Sequence, residues 1–284
     1  MAAARAMLDR IHPTFPNEKG DDNVYILGSI GAHNIVITGL REGTYGATAA
    51  TVTAFNMRHS YPSVKVCFLS GIAGCVPDPH DIRLGDVIVA DPTASYGGVL
   101  QYDRQQRNCR PCQTPDIVLR TLASLKAKHR HRGSDIPIYQ QEAMERHMHL
   151  HKLVQYPGGN ADQLFATESN HVPGLPTYNR SDLSSVRKRP RRPDNRPRVF
   201  YGLVASGGML LKDAAERDAF ARKSGAICFE MEAAGILDIL PCVVIRGVCD
   251  YADSHKNDHW QGYAAMVAAA YTKEFLSVLP SHGV

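Results

Sequence analysis

Two textures alternate along the chain: short apolar runs, and longer stretches whose apolar residues recur at helical intervals. Residues 24–30 and 33–40 are apolar runs parted by Gly31, the pattern of a hairpin. Residues 44–61 read as a helix that stops before Pro62, while 64–70 and 87–90 are β-rich runs bounded by Gly or Pro. Over 114–131, Ile117, Leu119, Leu122 and Leu125 keep helical spacing, and a further helix is expected over 139–154. Periodicity is lost from 158 to 198, where Gly, Pro, Asn, Ser and Arg dominate. So long a stretch without elements reads as a flexible insertion, because the alternation resumes beyond it in the same style.

The resumed text is the clearest in the chain. A strand pattern at 199–205 leads into a helix whose Asp213 and Glu216 have the D-x-x-E spacing of a capping box, with Gly225 just past its last turn. Strand 226–229, helix 232–240 and a buried strand at 242–248 come next. The last helix repeats apolar residues at Trp260, Tyr263, Ala264, Val267, Tyr271, Phe275 and Val278. Strands alternating with helices imply an α/β fold: one twisted, mixed but largely parallel sheet flanked by helices, in a single domain over 1–284 with an insertion at about 158–198. Sites in such sheets lie at the carboxyl ends of the strands.

Composition narrows the functional classes. With 44% apolar and 21% charged residues, the 284-residue chain is neither collagen, coiled coil nor wholly disordered. No apolar run approaches the ~18 residues that span a bilayer, and the first ten residues lack the apolar block of a signal peptide. A cytoplasmic protein without a membrane partner is expected. Seven cysteines, an odd number set among apolar runs, read as reduced core thiols.

The net charge of +4 is local. Between 180 and 198, eight basic residues face two aspartates, which leaves the remainder of the chain with net negative charge. Nucleic acid is therefore not an expected partner. The proline-broken run at 187–198 keeps a nuclear address open, but without interleaved aromatics it reads as a solvated loop. No metal is expected: the C-x-x-C of Cys109 and Cys112, near His129 and His131, reads as a loop with two chance thiols. Of His147, His149 and His151, only the outer two share a helix face, without a third ligand.

Three places look odd for structure alone. Glu230 and Glu232 flank Met231 directly after a buried strand. Arg246 and Asp250 close another, and the turn Ser70-Gly71-Ile72-Ala73-Gly74 ends a third. Carboxylates and a guanidinium at strand ends are costly to desolvate unless paired or needed by a polar ligand.

These segments, read in order as SGIAG, RLGDVIVAD, FEMEAAG and IRGVCDYADSHK, resemble the nucleoside phosphorylase and nucleosidase superfamily, and most of all its fungal branch. The resemblance runs from the LDR near the start to Trp260-Gln261-Gly262-Tyr263-Ala264. It implies cleavage between ribose C1′ and a nucleobase through an oxocarbenium-like transition state, with no cofactor. Asp250 would protonate purine N7; its alternative is a helix N-cap. Glu232 would hold the ribose hydroxyls, or be a first-turn helix acid. Arg246 would orient an acid or the attacking group, or form a buried salt bridge. Met231 would pack under the ribose, or in the core. Glu230 is equally consistent with a structural ion pair, and Leu210 and Leu211 with core packing rather than contact with the base. Phe229 and the Gly71, Ile72, Ala73 and Gly74 backbone complete the expected substrate site.

Two departures refine the expectation. Where phosphorylases hold phosphate with an arginine and a Ser or Thr around the first glycine, this chain has Leu69 and Ile72. That favours water over phosphate as the attacking group, with Arg41 left as another source of phosphate contacts. Relatives also open with a strand and an acidic residue that activates water, which this sequence lacks at its start. The expected reaction is hydrolysis of a purine nucleoside by a homo-oligomer. A phosphate-dependent phosphorylase and a non-catalytic nucleoside-binding module are the alternatives.

Overall fold

A computed structural model describes residues 1–92, 97–103, 114–171 and 183–281. Helix α1 (Ala2–Ala6) precedes a small antiparallel sheet of β1 (Arg10–His12), β2 (Ile26–Ile30) and β3 (His33–Ile37). The expected hairpin is β2–β3. It reverses at Gly31, whose φ of 55° suits glycine and whose N–H donates to Asp9 at 2.7 Å. Helix α2 (Ala47–Ser60) leads into β4 (Cys67–Cys75), β5 (Val87–Ala90) and β6 (Val99–Gln101). Helices α3 (Asp116–Arg132), α4 (Ile136–Arg146) and α5 (His151–Val154) follow. The chain ends with β7 (Val199–Ser206), α6 (Ala214–Ser224), β8 (Ala226–Glu230), α7 (Ala233–Ile236), β9 (Cys242–Asp250) and α8 (Gln261–Val278).

The second sheet is mixed and largely parallel. Strand β9 runs parallel to β4 and antiparallel to β5, and β4 is antiparallel to β8. Strand β7 is parallel to β8, β5 and β6. Because β5 bonds to both β9 and β7, the strands β5-β9-β4-β8-β7 close into a ring. All nine residues of β9 are buried, Arg246 and Asp250 included, as in a strand covered on both faces. Helix α8 crosses β9 closely enough that a Cβ on Gly247 would overlap the Ala264 backbone. Of its expected apolar positions only Val278 is exposed. The opposite side of the ring is covered by α2 and α7 through Ala50, Ala54, Met57 and Ile236.

The capping box forms as read: Asp213 accepts the Glu216 N–H at 2.9 Å, and Gly225 ends α6 in the left-handed region. Other expectations are corrected. The SGIAG segment is no turn but the second half of β4. Helix 139–154 begins at Ile136 with Pro137 in its first turn, then breaks at His147, where Arg146 reaches back to the Leu8 carbonyl at 2.9 Å. Helix 232–240 shortens to the single turn α7, followed by hydrogen-bonded turns.

Segment 158–198 has single helical turns and the bridge Phe165–Val186 among its described residues; Arg187, Lys188, Arg191, Arg196 and Arg198 are exposed, as a solvated run would be, but two arginines are built into the fold. Arg192 grips both carboxylate oxygens of buried Asp86 at 2.8 and 2.9 Å. Arg189 donates to Tyr251 Oη at 2.8 Å and pairs with Asp162 at 2.9 Å. Phe165 stacks on His255, with ring centroids 3.7 Å apart. Cys75, Cys228, Cys242 and Cys249 are buried reduced thiols, and Cys67 is half-buried; Cys109 and Cys112 lie outside the described residues.

Candidate active site

The carboxyl ends of β4, β8 and β9 meet around a cavity of about 300 Å³. Every position singled out from the sequence lines it: Gly71, Ile72, Ala73, Gly74, Leu210, Leu211, Phe229, Glu230, Met231, Glu232, Arg246 and Asp250. Tyr102, Met209, Cys249, Ala252 and Lys256 complete the lining. A larger hollow of about 590 Å³ between α3 and the start of β7 contains none of the expected residues.

One pole of the cavity is built around Arg246. Its Nη2 donates to Glu230 and, at 3.1 Å, to Glu232. Burial disfavours the charged guanidinium, but the two glutamates outweigh it and hold Arg246 firmly protonated. Glu230 also accepts the N–H groups of Glu232 and Ala233 at 3.1 and 3.0 Å and is fully buried. Both its oxygens are engaged by backbone N–H groups, so it anchors the start of α7. Glu232 keeps 17% side-chain exposure and accepts the Gly46 N–H at 3.2 Å, which ties the start of α2 to the cavity. Of the pair, Glu232 alone has acceptor capacity facing the opening.

Asp250 forms the other pole. Its Oδ1 accepts the Ala252 N–H at 2.8 Å across a tight turn in which Ala252 has φ of 51°. Its Oδ2 accepts Lys256 Nζ at 2.7 Å and the Cys249 thiol at 3.1 Å. Asp250 thus caps a turn after β9, not a helix. Burial, and then the Asp250 charge, push the Cys249 thiol up, keeping it a protonated donor. For Lys256 burial works against the ammonium, yet Asp250 beside it leaves it raised.

The glycines of β4 explain how both poles fit. In the parallel β4–β9 register Gly71 faces Arg246 and Gly74 faces Asp250. A Cβ on Gly71 would overlap the guanidinium, and one on Gly74 the Asp250 carboxylate. Between the poles the wall is apolar. Phe229 meets Tyr102 edge to face at 5.6 Å, Leu211 is buried, and Leu210 and Met209 stand exposed at the mouth. Leu211 also belongs to a core cluster with Val76 and Leu100, so it packs and lines at once.

Sequence reasoning left Lys256 without a role and passed over Tyr102 and Cys249. The signal for Lys256 was its place six residues after Asp250, across a turn short enough to bring it back; Tyr102 carried none. Among the described residues no three His, Cys, Asp or Glu are grouped to hold a metal ion. His151 instead contacts the Met144 carbonyl at 3.1 Å. No helix of the described residues is long and apolar enough to cross a membrane.

Comparison with known proteins bears on the sequence and the fold. In an alignment 288 positions long that covers 98% of its length, the chain is 38% identical to a nucleotide-binding leucine-rich repeat (NLR)-like protein of Hyaloscypha variabilis, of which it spans only 28%. It is 34% identical over 84 residues to the ATP nucleosidase Cap17 of Escherichia coli, a match covering 28% of this chain and 17% of that protein. The fold matches that of the 5′-methylthioadenosine/S-adenosylhomocysteine nucleosidase of Neisseria meningitidis, solved with methylthio-immucillin-A, at a TM-score of 0.57 and 15% identity, over 97% of this chain and 95% of the other. The sequence profile of the phosphorylase superfamily matches residues 5–277. With the fold and nearly the whole sequence in agreement, the chain belongs to the phosphorylase superfamily.

Proposed function

We propose that the cavity hydrolyses the N-glycosidic bond of a purine nucleoside. The observation that carries this reading is its charge: Glu230, Glu232 and Asp250 face Arg246 and Lys256, and both cations are already spent on those carboxylates. Once Asp250 has given up its proton the cavity carries excess negative charge, which suits a ribosyl oxocarbenium ion, and with both cations paired neither is left to hold a phosphate dianion. Leu69 and Ile72 offer phosphate nothing, and the Ile72 carbonyl is turned to Arg246 Nη1 at 3.5 Å.

In this reading Glu232 holds the two ribose hydroxyls and steadies positive charge on the sugar, with Arg246 fixing its rotamer. Met231 packs beneath the ribose. Asp250 donates a proton to N7, so the base leaves neutral; an acid placed at the base end favours purines over pyrimidines. Phe229, Leu210 and Leu211 face the heterocycle. Water attacks C1′ from the side away from the base and loses its proton to solvent, from which Asp250 is protonated again for the next turnover.

A 5′-phosphorylated nucleoside is the second reading. Arg41 is exposed in a turn closed by Thr44, whose hydroxyl donates to the Arg41 carbonyl at 2.6 Å, and this turn leads to Gly46 beside Glu232. Likeness to an ATP nucleosidase points the same way.

The test is an assay of adenosine, inosine, guanosine and ATP, each with and without inorganic phosphate. Free ribose or ribose phosphate, released at the same rate in phosphate-free buffer, is the expected product. Ribose 1-phosphate formed only with added phosphate, or binding without turnover, would reject hydrolysis.

A further inference from the structure

We propose that the hollow of about 590 Å³ between α3 and the start of β7 binds a small ligand carrying two or more phosphate groups, held by Arg130, Arg196 and Arg198. All three side chains are exposed, and among the described residues none of their guanidinium groups meets a carboxylate or a hydrogen-bond acceptor. The hollow shares no lining residue with the nucleoside cavity. It sits where β7 begins; the Ser206 end of that strand, which leads to Leu210 and Leu211, is roughly 20 Å away.

The basic run from 187 to 198 divides by what its arginines meet. Arg187 pairs with Asp78 at 2.6 Å, Arg189 with Asp162 at 2.9 Å and Arg192 with Asp86 at 2.8 Å. Arg196 and Arg198 have no such carboxylate and instead line a concavity that Arg130 enters from the last turn of α3. Their backbone is fixed. The Arg196 N–H donates to Asp194 at 3.1 Å, the Arg198 N–H donates to Asp86 at 2.9 Å, and the Arg198 carbonyl accepts the Val87 N–H at 3.0 Å. Pro197 between them is buried. Two guanidinium groups are thus presented from a held segment, and binding an anion there costs little backbone ordering.

The acids around the hollow are engaged elsewhere. Asp91 pairs with Lys126, whose ammonium lies 5.1 Å from the centre of the Tyr201 ring. Asp194 is turned to the Arg196 backbone. Behind the floor, His129 spans Tyr201 Oη at 2.9 Å and Glu274 at 3.1 Å, and Lys128 joins Glu274 to Asp135. Three unpaired guanidinium groups around one concavity repel one another. Phosphate oxygens relieve that repulsion and meet each planar fork with charge-assisted hydrogen bonds. The volume lies within the range of small-molecule sites, so the expected ligand is larger than a lone phosphate ion. Inorganic oligophosphate and a nucleotide offer the same chemistry, and the experiment separates them.

Isothermal titration calorimetry at about 0.15 M salt measures binding of inorganic triphosphate, ATP and orthophosphate to the wild type and to Arg130→Ala, Arg196→Ala and Arg198→Ala. Triphosphate is expected to bind at least about 10-fold more tightly than orthophosphate, and each variant should lower its affinity by about 10-fold or more. Thermal unfolding should stay at the wild-type value, because the three side chains are exposed. Arg222→Ala, an exposed arginine of α6 that lines neither cavity, and Arg41→Ala should leave triphosphate binding unchanged. Equal affinity for ATP and triphosphate assigns the site to phosphates alone; tighter ATP binding that falls in the same three variants assigns it to a nucleotide. The proposal is overturned if the three variants lower the affinity of neither ligand, if Arg222→Ala or Arg41→Ala lowers it as much, or if orthophosphate binds as tightly as triphosphate.

Discussion

Gly71 and Arg246 face each other across the parallel pair of β4 and β9, and the guanidinium occupies the space that any Cβ at position 71 would need. The absence of a side chain is therefore what lets Arg246 lie flat between β4 and the two glutamates. Gly71→Ala is expected to displace Arg246, costing about 1–3 kcal/mol of stability as an overpacked site. Glycosidase activity should fall about 100-fold, because Glu232 loses the partner that fixes it. Urea denaturation and nucleoside turnover measured together check this; an alanine variant with wild-type values in both contradicts it.

Glu230 and Glu232 share one arginine but differ in what else they touch. Glu230 is held by backbone N–H groups and fully buried, whereas Glu232 keeps an open face. Glu230→Gln should destabilise the fold by about 3 kcal/mol or more, since it loosens a buried charge from its partner. Glu232→Gln should change stability by less than about 1 kcal/mol. It should still lower kcat/KM by about 100-fold or more. Thermal unfolding and steady-state kinetics separate the two; equal effects of both variants on stability would remove the distinction.

Which features were legible follows from whether their cause was local. The Asp213–Glu216 cap and the αL Gly225 are set within one turn of helix, and the sequence is enough to read them. Glu230 closes β8, Glu232 follows it by two residues and Asp250 closes β9, so charges at the ends of apolar runs marked the region, while the family resemblance singled out Glu232 and Asp250. SGIAG was misread as a turn because small residues in isolation look like a loop; what demands Gly71 and Gly74 is the side chains of a strand more than 170 positions away, which no local window contains. Arg189 and Arg192 misled in the same way. In sequence they belong to a proline-broken basic run, and their carboxylate partners Asp162 and Asp86 lie far outside it.

Arg192 is a case where a basic residue stabilises the core. Asp86 is almost wholly buried, and burial pushes its carboxyl up even with Arg192 gripping both oxygens. Arg192→Ala is expected to cost about 3–5 kcal/mol near neutral pH, because a buried carboxylate is left without its counter-charge. Protonating Asp86 relieves that penalty, so the deficit should shrink as pH falls. Guanidinium denaturation at several pH values measures it; a small and pH-independent loss would show that Arg192 is dispensable.

Glu274 on α8 has the opposite sign. Burial would raise its carboxyl, but His129 at 3.1 Å, Lys128 at 2.7 Å and the Asp135 N–H at 3.0 Å outweigh it and hold it below the ordinary range. A depressed carboxyl contributes stability that is complete above its unfolded value, about 4.3, and is lost as pH falls through the folded value. Glu274→Gln should therefore cost about 1–3 kcal/mol at pH 7 and less in acid. Unfolding free energies of the two proteins that run parallel down to pH 3 would contradict this.

The central claim is that one nucleoside spans the cavity, its sugar at Glu232 and its base at Asp250. The most direct measurement is a crystal structure with a purine nucleoside analogue that cannot be cleaved at C1′. The expected density places both ribose hydroxyls on the Glu232 carboxylate and N7 within hydrogen-bonding distance of Asp250. An analogue bound with these ends exchanged, or seated elsewhere with the cavity empty, contradicts the assignment.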